Sequence, residues 1–245
     1  MKLINLPNII TCGNLLCGCM AIFYGLQGEV GLASLFIVAG AIFDFFDGMT
    51  ARAMGISGPI GKEIDSLADA VSFGIAPAIL AYQVARCVYG PGEDNAIDFL
   101  LAMVMAAFSA LRLAKFNCDE RQTLSFIGLP TPSNALFWIG MTFICRLDAV
   151  HTWLTSLNPE IFGCLWFVLI LIMSFLMISE IPMFSLKIKK GHNGFAENKG
   201  RYILLAIAIP LLIISGIMGL QYLAASPAII IMLYIVLSVT LNKTK

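Results

Sequence analysis

The chain has 245 residues, 59% of them hydrophobic and only 12% charged, with a mean hydropathy of +0.89. A soluble domain of this length would carry roughly twice that charged fraction, so the composition excludes a soluble globular enzyme and predicts an all-α, polytopic membrane bundle. The formal net charge of zero carries no information about partners, and no nucleic-acid partner is expected. The seven cysteines (Cys12, Cys17, Cys19, Cys87, Cys118, Cys145 and Cys164) lie mostly inside apolar runs, and no second close pair or nearby histidine completes a zinc set. They read as reduced, structural thiols.

Eight spans are predicted in chain order: Asn8–Leu26, Gly31–Arg52, Lys62–Ala85, Ala96–Lys115, Pro132–Leu147, Ile161–Leu186, Tyr202–Leu220 and Ala224–Leu241. Lys2, Pro7 and Asn8 form a short interfacial lead-in to the first, with no cleavable signal peptide evident. The first six spans fall within residues 1–190 and the last two within 191–245. With eight spans, Lys2, Arg52, Lys62, Arg112, Lys115, Arg121, Lys187, Lys189, Lys190, Lys199, Arg201, Lys243 and Lys245 fall on one side, and only Arg86 and Arg146 on the other. By the positive-inside rule that face is cytoplasmic, together with both termini. The basic stretch SLKIKKGHNGFAENKGRY is expected to be a solvated loop near anionic headgroups.

The chemistry concentrates at DFFDGMTARAMGISGPIGKEIDSLAD, residues Asp44–Asp69. Asp44 and Asp47 are three apart at the end of the second span; Asp65 and Asp69 are four apart at the start of the third. Each pair shares a helix face, and the GISGPIG turn is expected to set the two helices side by side, so that four carboxylates converge. Glu63 falls off this spacing and reads as solvated beside Lys62. Like charges in a low-dielectric place need a cation, and hard oxygen ligands select Mg²⁺, Mn²⁺ or Ca²⁺. A two-metal site is a known device for displacement at phosphorus. Arg52 offers a planar cation for a diphosphate, and Gly48 and Ala51 leave room for a ligand or a neighbouring helix. Helix caps, ion pairs with Arg52 or Lys62, and a cation-transport route are the competing readings.

The pattern Asp44-x2-Asp47-Gly48-x2-Ala51-Arg52-x8-Gly61-x3-Asp65-x3-Asp69 resembles, in full, the signature of the CDP-alcohol phosphatidyltransferases. Those integral membrane enzymes have a six-helix core and move a phosphatidyl or related group from a CDP-linked donor to an alcohol, releasing CMP. Five further stretches resemble the membrane-embedded phosphatidylserine synthases of that family: PNIITCGNLLCG, DSLADAVSFGIAP, RLAKFN, GLPTP and LMISEIPMFSLK. The lysine that follows the fourth aspartate in phosphatidylglycerophosphate and cardiolipin synthases is here Ala70.

The resemblance implies that Asp44, Asp47, Asp65 and Asp69 bind Mg²⁺ or Mn²⁺, with Asp69 also the general base. It implies that Gly48, Ala51, Arg52 and Gly61 hold the CDP part of CDP-diacylglycerol, joined by Thr11 and Asn14. For Thr11 and Asn14, interhelical hydrogen bonds are the alternative. It also implies a homodimer. For the L-serine acceptor, Arg112 and Lys187 are candidate carboxylate partners, with Asn117 and Ser179 adding hydrogen bonds; snorkelling at helix ends is the other reading of the two cations. Glu180 is a candidate for the serine ammonium or a partner for Lys187. His151 and His192 lie away from the acidic cluster, and no H-x-K-x4-D repeat is present, so direct displacement is expected rather than a phosphohistidine route.

Overall fold

The computed structural model describes residues 4–55, 58–89, 96–119, 126–184 and 199–242. These residues form a helical bundle: α1 (Leu6–Leu26), α2 (Val30–Met54), α3 (Pro59–Tyr89), α4 (Ala96–Cys118), α5 (Thr131–Ile144), α6 (Asp148–Thr155), α7 (Pro159–Ile178), α8 (Lys199–Met218) and α9 (Leu220–Asn242). Seven of them, all but α5 and α6, are long and apolar enough to cross a membrane. Large apolar side chains such as Leu35, Leu165, Ile213 and Val236 are exposed along these helices, as lipid-facing surface requires.

The predicted fifth span is the short α5. Its 14 residues extend about 21 Å, against about 30 Å of hydrocarbon. It nevertheless carries the chain across. Lys115 Nζ, near the end of α4, donates to Ile178 O at the end of α7 over 3.0 Å, so α4 and α7 end on the same face and the chain between them must return. Asn134, Phe137, Trp138, Gly140 and Thr142 of α5 are all buried, so protein rather than lipid surrounds this helix. The Trp138 and Trp166 rings pack edge to face at 5.4 Å, and the Trp138 indole N–H donates to Asn134 Oδ1.

Three local departures from the expected elements have physical causes. The first span starts at Leu6, with Asn5 accepting from the Asn8 N–H at 2.9 Å; Pro7 and Asn8 are therefore helical rather than a lead-in. The sixth span stops at Ile178, eight residues before its predicted end at Leu186. Ser179 is extended (ψ 156°), and Pro182–Met183 pairs antiparallel with Phe126–Ile127. The third departure is in α3, which widens to a π-helical turn over Ala70–Ile75, with the Ala76 N–H reaching back to Val71 O. Pro77 follows at once; its ring crowds the carbonyl four residues back, and a wider turn relieves that crowding.

The π turn is the packing centre of the bundle's first half. The Ser72 hydroxyl donates to Asn14 O of α1 at 2.9 Å, and Phe73 is fully buried among Ala21, Ala33, Ile37 and Ala135. Gly18 of α1 lies so close that a Cβ there would stand 2.9 Å from both Ser72 N and Cα. The first turns of α3 pack chiefly on α1, so α2 and α3 are not simply side by side as the short turn suggested; α1 braces both.

Gly18→Ala is expected to destabilise the bundle by about 1–3 kcal/mol, because backbone rather than a flexible side chain must yield. Gly31→Ala, with nothing within 4 Å of the added methyl, is its control. Thermal unfolding of both variants in detergent checks this: a lowered Tm for the first and an unchanged Tm for the second.

Candidate functional site

The end of α2, the start of α3 and the first turns of α1 meet at one face of the bundle. Asp44 and Asp47 project from α2 and Asp65 from α3, and carboxylate oxygens of all three lie within 4.8 Å of one another. Asp47 is 6% exposed, and both Asp47 Oδ2 and Asp65 Oδ1 are buried without a hydrogen-bond partner. Buried anionic oxygens left orphaned in this way are costly unless a cation supplies the missing interaction. All-oxygen ligation from carboxylates fits a hard divalent ion.

Beside this triad lies a cavity of about 560 Å³. Asn5, Asn8 and Thr11 line it from α1, Asp47, Gly48 and Ala51 from α2, and Ile60, Gly61, Lys62 and Asp65 from α3. No side chain caps the start of α3, and Pro59 has no N–H, so the first amides there are those of Ile60 and Gly61 at the cavity wall. An uncapped helix start of this kind suits a phosphate oxygen. A Cβ on Gly48 would meet Arg52 Nη1 at 3.6 Å, and one on Gly61 would meet Asn8 Oδ1 at 3.5 Å, both ordinary contacts. The protein's own packing therefore does not demand glycine at either position. A ligand pressed against the backbone would.

The residues that build this site fall inside a family match. Residues 4–159 match the family model described as CDP-alcohol phosphatidyltransferase. The chain belongs to the CDP-alcohol phosphatidyltransferase family. Among similar proteins, the CDP-diacylglycerol–serine O-phosphatidyltransferase of Bacillus subtilis (strain 168) is 39% identical over 138 residues, covering 56% of this chain and 75% of that protein. The protein of the same name from Helicobacter pylori (strain 26695) is 30% identical over 242 residues, 98% of this chain and 95% of its own. That of Methanocaldococcus jannaschii is 33% identical over 180 residues, 74% of each.

Within this phosphatidyltransferase the sequence-predicted residues separate into groups. Asp47, Gly48, Ala51, Gly61, Asp65 and Thr11 line the cavity, and Asp44 completes the triad. Arg52 is exposed and stands outside the cavity lining, its guanidinium turned back beside Gly48. Asp69 is not one of the gathered three. It stands one turn further into the membrane helix, 8% exposed, and accepts from Asn14 Nδ2 at 3.1 Å. Asn14 is itself fully buried and absent from the cavity wall, so of its two readings the structure has the interhelical hydrogen bond.

The acceptor candidates fare unevenly. Arg112 is only 6% exposed, too buried for a snorkelling cation. Its Nη1 donates to Thr131 Oγ1 at 3.5 Å, its guanidinium lies over the Phe116 ring, and it is within electrostatic reach of Asp69. Asn117 instead ties α4 to α3: its side chain donates to Ser66 Oγ at 2.8 Å, and its carbonyl accepts from Lys62 Nζ at 2.7 Å. Ser179 donates to Leu176 O. Glu180 pairs with Lys115 at 2.5 Å. Lys187 lies outside the described residues, as do Lys189 and Lys190. Glu63 is exposed, as expected.

Asn5, Asn8 and Lys62 were missed as cavity residues by sequence reasoning. Asn8 sits three residues before Thr11 and Asn5 six, at the N-cap, so the face that exposes Thr11 at a helix start was the available signal. For the triad the expected outcome is that Mn²⁺ raises the Tm of the wild-type protein in detergent, and that Asp65→Asn, removing one of three charges, weakens the Mn²⁺ concentration dependence by about tenfold or more.

Proposed function

We propose that the protein transfers the phosphatidyl group of CDP-diacylglycerol to the hydroxyl of L-serine, forming phosphatidylserine and CMP. The observation that carries this reading is the buried triad Asp44/Asp47/Asp65 beside a cavity whose two glycine walls, Gly48 and Gly61, are unexplained by packing. Serine as the acceptor rests on the names of the similar proteins from B. subtilis, H. pylori and M. jannaschii.

Asp44, Asp47 and Asp65 would hold Mg²⁺ or Mn²⁺, with Asp69 near enough along α3 to serve a second ion. When bound, such ions supply charge neutralisation at the diphosphate and at the departing phosphate. The chain's own residues do the remaining work. Gly48, Ala51, Gly61 and Thr11 receive the cytidine diphosphate in the cavity, and Arg52 closes its outer edge with a cation. Placing the donor's phosphorus at the triad leaves Asp69 on the deeper side, where the acceptor must arrive. Asn14 fixes the Asp69 carboxylate through one oxygen and leaves the other to take a proton.

The serine oxygen forms a bond to the lipid-side phosphorus as the bond from that phosphorus to the oxygen bridging to CMP breaks. The serine proton passes to Asp69, and CMP leaves as the phosphate monoester. Arg112 receives the serine carboxylate, its guanidinium held in a fixed plane by Thr131 and Phe116. The one-sided distribution of basic residues supports a cytoplasmic location for this face, at the cell membrane. A homodimer is the assembly this reading carries over from the family.

The test is release of CMP by purified protein given CDP-diacylglycerol, Mn²⁺ or Mg²⁺, and one alcohol at a time. Serine-dependent release is expected; release with inositol phosphate or glycerol phosphate instead would reassign the acceptor, and metal flux in liposomes without CMP would replace the enzyme by a transporter. Asp69→Asn should lower kcat by about 100-fold or more while leaving in place the part of the Mn²⁺-induced rise in Tm that the Asp44/Asp47/Asp65 triad supplies. Near-normal turnover in that variant would remove Asp69 as the base. Arg112→Gln should raise the serine KM far more than the CDP-diacylglycerol KM, by about tenfold or more; equal changes in both would release Arg112 from the acceptor site.

A further inference from the structure

The C-terminal helices α8 and α9 lie outside the matched residues 4–159, and no step of the proposed chemistry uses them. Yet α9 runs along the buried α5, so closely that a Cβ on Gly140 would stand 2.7 Å from Ala228 Cβ. Further along α9, Tyr234 is 7% exposed and its hydroxyl donates to the carbonyl of Phe184 at 3.1 Å, the two rings packing edge to face at 4.9 Å. Gly200 of α8 closes the other side of Phe184: a Cβ there would be 3.4 Å from the Phe184 ring.

Phe184 belongs to the strap that follows α7. Its pairing with the chain before α5 is short: two residues, Pro182–Met183 against Phe126–Ile127, which is marginal by itself. Two more backbone bonds extend it, Gly128 N–H to Ile181 O and Leu129 N–H to Leu176 O, both 2.9 Å. Gly128 has φ +77°, and a Cβ there would come within 3.0 Å of Ser179 O, so the crossing is as close as backbones allow. Two residues beyond Leu129 is Thr131, the group that accepts from Arg112. At the strap's start, Lys115 binds both Ile178 O and Glu180.

We infer that Tyr234 is a positioning residue for the acceptor subsite, clamping the Phe184 carbonyl so that the strap holds Thr131, and through it Arg112, in place. This rests on the proposed role of Arg112 toward the acceptor's carboxylate. Tyr234 touches no substrate; its effect reaches the site through about ten residues of strap and helix start. Loss of its hydroxyl is expected to act on the acceptor side, because the donor cavity is lined from α1, α2 and the first turns of α3, whereas Pro182–Met183 of the strap pack on α9 and pair with Phe126–Ile127.

The test uses the full chain in lipid nanodiscs. Tyr234→Phe keeps the ring against Phe184 and removes only the hydroxyl. The serine KM is expected to rise about threefold to tenfold, the scale of one lost hydrogen bond, with kcat and the CDP-diacylglycerol KM within about twofold of wild type. Hydrogen exchange should quicken at the Gly128 and Leu129 amides and stay unchanged across α1 and the first turns of α3. A parallel rise in both KM values, or unaltered exchange at Gly128 and Leu129, would overturn the inference. Wild-type protein run alongside keeps the two readings apart. If it releases CMP only with another alcohol, serine is the wrong acceptor and the same KM split for that alcohol decides Tyr234; if it releases CMP with none, the acceptor subsite and the role of Tyr234 fall together.

Discussion

Three carboxylates within 4.8 Å of one another, two of them with oxygens buried and unpartnered, set the terms for the rest of the bundle. At an effective dielectric of about 20, each such pair repels by about 3 kcal/mol, so the cluster opposes folding unless something cationic joins it. The carboxylates cannot relax apart, because Asp44 and Asp47 ride on one long helix and Asp65 on another, each fixed by its packing. A site that is expensive when empty and relieved when occupied is preorganised for a divalent ion. The same rigidity holds the neighbouring cavity at a defined distance from the triad, as the proposed transfer at a donor's phosphorus would require.

What fixes the two acidic helices is α1, through a short chain of polar contacts rather than through greasy packing alone. The Ser72 hydroxyl binds the Asn14 carbonyl, and the Asn14 side chain binds Asp69. Both contacts straddle the point where α3 passes from α-helical to π-helical geometry. The π turn inserts one extra residue, so Asp69 and Ser72 both meet Asn14 on α1 while Phe73 still points into the core. Asp69 is thus held by a neutral amide, apart from the triad, as the proposed role in proton transfer would require. Division of labour among four aspartates of the same motif follows from where α1 touches α3.

Much of this was legible in the sequence. The three- and four-residue spacings put each aspartate pair on one helix face whatever the surroundings, and glycine at 48 and 61 marks close approach equally well before and after folding. Span positions were legible because hydropathy is a property of local sequence. The contents of the contacts were not. Asn14 could face a ligand or a neighbouring helix, and only the assembled packing chooses Asp69. Glu180 read as a partner for the serine ammonium or for nearby Lys187, and nothing local in the sequence pointed to its contact with Lys115, 65 residues away. Ser179 reads as helical by hydropathy, yet the strap's pairing with residues 126–127 pulls it extended. The π turn needed Pro77 to be read as a strain on its predecessor rather than as an ordinary membrane-helix proline.

The short α5 shows how the two halves of the chain depend on each other. A helix of about 21 Å cannot satisfy a bilayer of about 30 Å by itself, and thinning the membrane around it carries a cost for each ångström of mismatch. Burial removes the problem, since α5 then meets protein instead of lipid, but burial needs a partner on every side. α3 and α4 cover one side, and α9 covers another through the Gly140–Ala228 approach. Thr131 opens α5 at the catalytic face, so whatever sets the depth of α5 also sets the depth of Arg112. The C-terminal helices therefore make a short, buried helix tenable in a membrane, and on the proposed reading of Arg112 they would complete the acceptor side of the site.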